Sequence, residues 1–164
     1  MNWSNLLKAQ AELDARIIGE KKLEGQDLFT NKVEALLCEI QETANETRCF
    51  KHWSNKGPEM EKALEEAADT LHFILSLGND LEVDPKEIAK QPARLYEDLT
   101  SQFIALSYVS SCIAMFNDKK RYYAETVSLF KGLVALLGFD EAQLELAYYL
   151  KNKTNHERQA SGTY

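Results

Sequence analysis

Apolar residues recur at three- and four-residue intervals along almost the whole chain, and no stretch alternates in the way a half-buried strand requires. The pattern predicts an all-α protein. Leu6, Leu7, Leu13, Ile17 and Ile18 mark a first helix with Ser4 as its cap, and Gly25 and Asp27 punctuate the approach to a second. Val33, Leu36, Leu37, Ile40 and Ala44 form the stripe of that second helix, which ends near Arg48. A third opens at Pro58, carries Met60, Leu64, Ala68, Leu71 and Leu75 on its main stripe, and breaks between Asn79 and Pro85. Pro92 delays the next long helix to about Ala93, from where it runs to roughly Phe116. Tyr122 to Leu137 gives another, stopped by Gly138, and Asp140 caps a last one that carries Leu144, Leu146, Ala147 and Leu150.

Short connections make neighbouring helices antiparallel, so the architecture expected is an antiparallel helical bundle with the second and third helices at its centre. With 164 residues and no long Gly, Ser or Pro run, the chain reads as one domain over residues 1–164, ending in a polar segment from about 148 to 164. The stretch from Phe103 to Phe116 is apolar around most of its circumference, with Ile104, Leu106, Tyr108, Val109, Ile113, Ala114 and Met115. Such a helix needs cover on several sides. A homodimer supplies it from a second copy, and a central helix in a monomer is the alternative.

The formal net charge of -7 argues against a broad nucleic-acid surface, which needs clustered Lys and Arg. It leaves room for a small anionic ligand met by a local cationic patch or a bound metal. Cys38, Cys49 and Cys112 form an odd set without ligand spacing, and the start of the chain lacks the basic and apolar regions of a secretory signal. A cytoplasmic protein is expected. No apolar run reaches the length of a membrane span.

Two acidic pairs carry the strongest chemical signal. Glu39 and Glu42, then Glu66 and Asp69, are each three residues apart, so each pair projects two carboxylates from one side of its helix. In an antiparallel hairpin Glu42 and Glu66 each lie roughly 10 Å from the turn and meet at one height. Four carboxylates so close repel one another and rise in pKa unless a cation holds them ionised, and magnesium, a hard ion with octahedral oxygen ligation, suits them. Solvated helix faces are the competing reading. Glu39, Glu42 and Glu46 lie opposite the apolar stripe, which favours that reading for the first pair, whereas Glu66 and Asp69 share a face with Phe73 and Leu77, as in a partly covered cleft.

Two polar segments could read a substrate beside such a site. The connection between the acidic helices brings Phe50, Lys51, His52, Trp53 and Lys56 together, where a Trp next to Lys can stack a base and contact a phosphate, or Trp53 can plug the end of the bundle. In the basic C-terminal segment Lys151, Asn155 and Arg158 fall at i, i+4 and i+7 on one helix face, a set that suits a phosphate chain; a solvated tail favouring the helix dipole is the other reading.

Taken together, Glu39-Ile-Gln-Glu42, Asn45-Glu-Thr-Arg48, Phe50-Lys-His-Trp-Ser-Asn-Lys56, Glu66-Ala-Ala-Asp69 with Leu71-His-Phe73, and the tail from Lys151 to Tyr164 resemble the all-α dimeric dUTPase family. These belong with the MazG-like NTP pyrophosphohydrolases, and the resemblance spans nearly the whole chain. It implies hydrolysis of dUTP, and usually dUDP, to dUMP, with attack of water on the β-phosphorus and magnesium, or manganese in its place, held by Glu39, Glu42, Glu66 and Asp69. Glu39 or Glu42 is the expected base. Uracil recognition falls by the resemblance on Gln10 and on Asp14, where the family carries Asn, with Trp53 and Phe73 as stacking candidates and His72 nearby. A carboxylate cannot both donate and accept when ionised, but it can accept the uracil N3 proton. Lys56, Lys151, Asn155, Arg158 and Tyr164 match the family's phosphate contacts, with Lys153 as an alternative to Lys151. Some phage-borne relatives also bind a repressor of mobile genetic elements, so a repressor partner belongs to the expectation for a phage-borne chain only. The rivals are a related pyrophosphohydrolase for another pyrimidine nucleotide, which Asp14 permits, and a helical dimer without catalysis that binds a partner protein.

Overall fold

A computed structural model describes residues 1–161. Among these residues it shows seven helices and no strand: α1 (Trp3–Lys21), α2 (Phe29–Thr47), α3 (Met60–Asp80), α4 (Pro85–Lys90), α5 (Leu99–Met115), α6 (Lys119–Leu136) and α7 (Glu141–Ser161). The α2–α3 hairpin is central, as its stripes predict. The α5–α6 hairpin packs on the α2 side, and α1 and α7 pack on α3. One apolar core joins them, with Leu6, Leu36, Ile40, Leu71, Leu75 and Phe130 fully buried. Truncating any of the buried Leu or Ile side chains to Ala costs about 2–5 kcal/mol through lost burial and the cavity left behind.

Several boundaries differ from the sequence pattern, each for a local reason. Asn2, and not Ser4, caps α1: its side chain accepts from the Asn5 amide at 3.2 Å, which lets the buried Trp3 open the helix. The helix expected from Pro58 begins at Met60, because the Glu59 amide donates to the Glu46 carbonyl at 3.0 Å and ties the entry of α3 to the end of α2. Inside the expected break Asp84 accepts from the Lys86 amide and Pro85 stands at the helix start, so α4 forms there.

The largest difference is at α5, which starts at Leu99 and not near Ala93. The chain before it is committed to other partners. The Arg94 amide donates to the Ser128 carbonyl at 2.9 Å, and buried Gln102 donates to the Arg94 and Leu129 carbonyls while accepting from the Tyr96 amide. Gly132 permits this approach, since a Cβ there would stand 1.9 Å from the Arg94 oxygen. Asp98 then caps α5 through the Ser101 amide. Asp118 starts α6 at Lys119, earlier than Tyr122, whereas Gly138 stops it in the expected left-handed conformation (φ +78°). Asp140 and Gln143 close a capping box at the start of α7.

Candidate active site

Antiparallel pairing of α2 and α3 aligns their polar faces. Lys32 meets Asp80 at one end, the Thr43 and Thr70 hydroxyls approach at 3.4 Å in the middle, and Glu46 meets Glu59 at the other end. On this frame one carboxylate oxygen from each of Glu39, Glu42 and Glu66 lies within 4.8 Å of the others. Glu39 is half-buried, and burial, reinforced by Asp69, Glu42 and Glu66, pushes its carboxyl up to about 7. Glu66 moves in the same direction for the same reasons.

Asp69 stands next to this trio but is engaged elsewhere. Its Oδ2 accepts from Lys151 Nζ at 2.5 Å, and burial raises its carboxyl against the opposing pull of Lys151 and Arg158. The donor set fits a hard divalent cation. Three clustered carboxylates with a fourth alongside offer oxygen acceptors and repel one another as they stand.

Helix α7 runs antiparallel to α3, since Lys151 pairs with Asp69 and Tyr148 stacks on His72 at 4.2 Å between ring centroids. Its next turns therefore pass the start of α3. Lys151, Thr154 and Arg158 line a cavity of about 520 Å³ with Leu64, Glu61 and Glu65. Lys153 instead pairs along its own helix with Glu157, so of the two lysine alternatives Lys151 is the one beside the acids. Asn155 is half-buried on the same turn, and Tyr164 lies outside the described residues.

One to two turns the other way, the same faces of α2 and α3 bound a second pocket of about 260 Å³. Asp14, Phe73, Ser76 and Lys32 reach it among apolar walls from Ile17, Ile18, Leu23 and Leu28. Ser76 follows Asp69 by seven residues and Lys32 precedes Glu39 by seven, so along the helix axes this pocket's polar residues stand about 10 Å from the acids.

Gln10 does not face this pocket with a free group. Its Nε2 donates to Asp14 Oδ1 at 2.7 Å, and its Oε1 accepts from the Tyr148 hydroxyl at 3.2 Å and from His72 Nδ1 at 2.7 Å. His72 is likewise buried, with its imidazole pushed down to about 4 by desolvation. Both serve as supports behind Asp14. Trp53 is 68 % exposed, touches the rings of Phe50 and His52, and sits with exposed Lys56 in the α2–α3 connection, at the acid end of the hairpin and away from Asp14.

Three participants were not singled out from the sequence: Lys32, Ser76 and Tyr148. Helical phase held the signal for two of them, because Lys32 and Ser76 continue the faces of Glu39 and Asp69 by two turns. Tyr148 carried no such mark. A family model described as dUTPase matches residues 2–163 of the chain. A search of curated proteins finds no match.

Proposed function

The chain belongs to the all-helical dUTPase family and is by that membership a dUTP diphosphatase, and we propose that its reaction depends on magnesium held by Glu39, Glu42, Glu66 and Asp69, releases dUMP and pyrophosphate, and extends to dUDP. The carboxylate trio beside the Lys151 and Arg158 face is the observation that carries this reading. When bound, the cation supplies charge neutralisation for the diphosphate and a more acidic attacking water. The protein does the rest. Glu39 or Glu42 takes the proton of that water as the β-phosphorus is attacked, and the bond from that phosphorus to the α-phosphate oxygen breaks.

With a cation held by the carboxylates, Lys151 would be released from Asp69 to meet the phosphate oxygens, and Arg158 adds a planar fork of donors. Phe73 walls the base, Asp14 accepts from its N3, and Gln10, Ser76 and His72 hold Asp14 in place. Apolar walls exclude water from the base but not from the phosphates.

We also read the working unit as a homodimer in the cytoplasm. Ile104 and Tyr108 on α5 are 66 % and 67 % exposed, and Met115 and Phe116 at its end are exposed as well. No described helix is long and apolar enough to cross a membrane. Product analysis with dUTP, dUDP, dTTP, dCTP and UTP in parallel, with magnesium, with manganese and with EDTA, tests the chemistry. Selective conversion of dUTP and dUDP to dUMP, abolished by EDTA, is the expected result. Preference for dCTP would favour the related-nucleotide reading that Asp14 permits, and turnover in EDTA would remove the metal from the account. Light scattering at micromolar concentration reads the mass of the assembly.

A further inference from the structure

The pocket between α1, α2 and α3 contains a charged pair that the chemistry at the phosphates does not use. Lys32 Nζ stands 2.7 Å from both oxygens of Asp80 and 3.8 Å from Asp14 Oδ2. Both side chains are mostly buried, Lys32 at 15 % and Asp14 at 18 % exposure. Asp14 receives Gln10 Nε2 on Oδ1 and the Ser76 hydroxyl on Oδ2, at 2.7 and 2.5 Å. A carboxylate has about four acceptor sites, so it retains capacity for one more donor from the pocket, and the ammonium likewise has three donors to place.

An acceptor beside a donor at the rim of an apolar slot matches the edge of an imide. Uracil offers N3–H between two carbonyl oxygens. Gln10, whose amide could have read both kinds of group, is spent on Asp14, Tyr148 and His72. We propose that Lys32 is a specificity-determining residue of this dUTPase: Asp14 accepts the uracil N3–H while Lys32, steered by Asp80, donates to the adjacent carbonyl oxygen. The pair then carries between two side chains the donor and acceptor functions of one amide. Cytosine in the same seat presents a lone pair at N3 to the carboxylate and is rejected, because a buried acceptor facing an acceptor leaves both unpaired. The inference rests on the dUTPase reading and on this pocket as the seat of the base.

The test compares wild type with Lys32→Met, Lys32→Arg, Asp14→Asn and the double variant Asp14→Asn with Lys32→Met, measuring kcat and KM for dUTP and dCTP and the melting of each. Lys32→Met is expected to raise KM for dUTP about tenfold and to lower the dUTP-to-dCTP preference about tenfold, with kcat changed less than about threefold. Lys32→Arg restores most of both. In the Asp14→Asn background, where the amide supplies donor and acceptor itself, the same Lys32→Met change costs under about threefold. KM and preference unmoved in a Lys32→Met protein that melts like wild type overturn the proposal, as do equal losses in the two backgrounds. A wild type inert towards dUTP fails the dUTPase reading, a result distinct from an active wild type indifferent to Lys32. If Lys32→Met does not fold, dUMP and dCMP titrated into wild type decide the matter by NMR: larger shifts at Lys32 and Ser76 with dUMP support it, and none overturns it.

Discussion

Lys151 Nζ and Asp69 Oδ2 stand 2.5 Å apart, across the space between α7 and α3, and neither is fully exposed. The ion pair joins a residue suited to a metal with a residue suited to a phosphate, so each waits on the other's release. Lys151→Met leaves Asp69 with only the pull of Arg158 and takes a positive charge from beside Glu39 and Glu66. Binding of magnesium to the free protein, read by calorimetry, is expected to stay equal or tighten, while KM for dUTP rises about tenfold or more for loss of a charge-assisted contact. Weaker magnesium binding together with an unchanged KM would contradict this exchange of partners.

Glu66→Gln removes a carboxylate that is a proposed ligand and also a source of repulsion for Glu39. Activity and stability should therefore move in opposite directions. Turnover with magnesium is expected to fall by about a thousandfold, because a ligand to the cation on which the proposed reaction depends has been removed. In EDTA the variant is expected to melt at or above the wild-type temperature, since a like charge has been taken from the cluster. A drop in the melting temperature in EDTA of several degrees would show that Glu66 is held by favourable partners and not by a missing cation.

The pH dependence of metal binding follows from Glu39. Its carboxyl is raised from 4.5 to about 7 in the folded protein, so the stability it contributes is fully present below about pH 4.5 and is lost as pH rises through about 7. The cation needs the ionised form, so the stabilisation that magnesium confers grows across the same interval. Melting in saturating magnesium minus melting in EDTA is expected to be larger at pH 8 than at pH 5.5. Taking the difference cancels groups, such as His72, that titrate alike in both conditions. A magnesium increment equal at the two pH values would separate the cation from these carboxylates.

The same residues show what a sequence can disclose and where it stops. The stripes of Val33, Leu36 and Ile40 and of Leu64, Ala68 and Leu71 located the central hairpin, because helical period encodes which side is buried. Rise per residue from the turn set Glu42 and Glu66 at one height, whereas phase alone put Glu39 and Glu42 opposite the apolar stripe and favoured a solvated face. Neither revealed that α5 begins at Leu99, since the extended run before it depends on contacts with the Ser128 and Leu129 carbonyls in α6, more than twenty residues away. Gln10 was legible only through the family resemblance. Its partners were not, because Tyr148 and His72 reach it from α7 and α3. Asp14 marked a departure from the family, and only the packing of α2 on α3 showed Lys32 beside it.

His72 offers a test of that buried support. Gln10 Nε2 must face the Asp14 carboxylate, so its Oε1 faces His72, and Nδ1 must carry the proton. Nε2 is then a buried lone pair, with no hydrogen-bond partner among the described residues. Desolvation lowers the imidazole from 6.5 to about 4 against an opposing pull from the Tyr148 backbone, and Lys151 adds to the lowering. The folded value is depressed, so the stability is fully present above about pH 6.5 and is lost as pH falls through about 4, by roughly 3 kcal/mol at most. Nitrogen-15 NMR is expected to show the Nδ1–H neutral ring down to pH 5. His72→Gln keeps a donor for Gln10 and has no titrating ring, so its stability in EDTA should fall less than that of wild type between pH 7 and pH 4. An imidazolium signal at pH 6, or an Nε2–H tautomer, would mean that the chain from Tyr148 through Gln10 to Asp14 is organised differently, and Asp14 would lose the support on which its place in the base pocket depends.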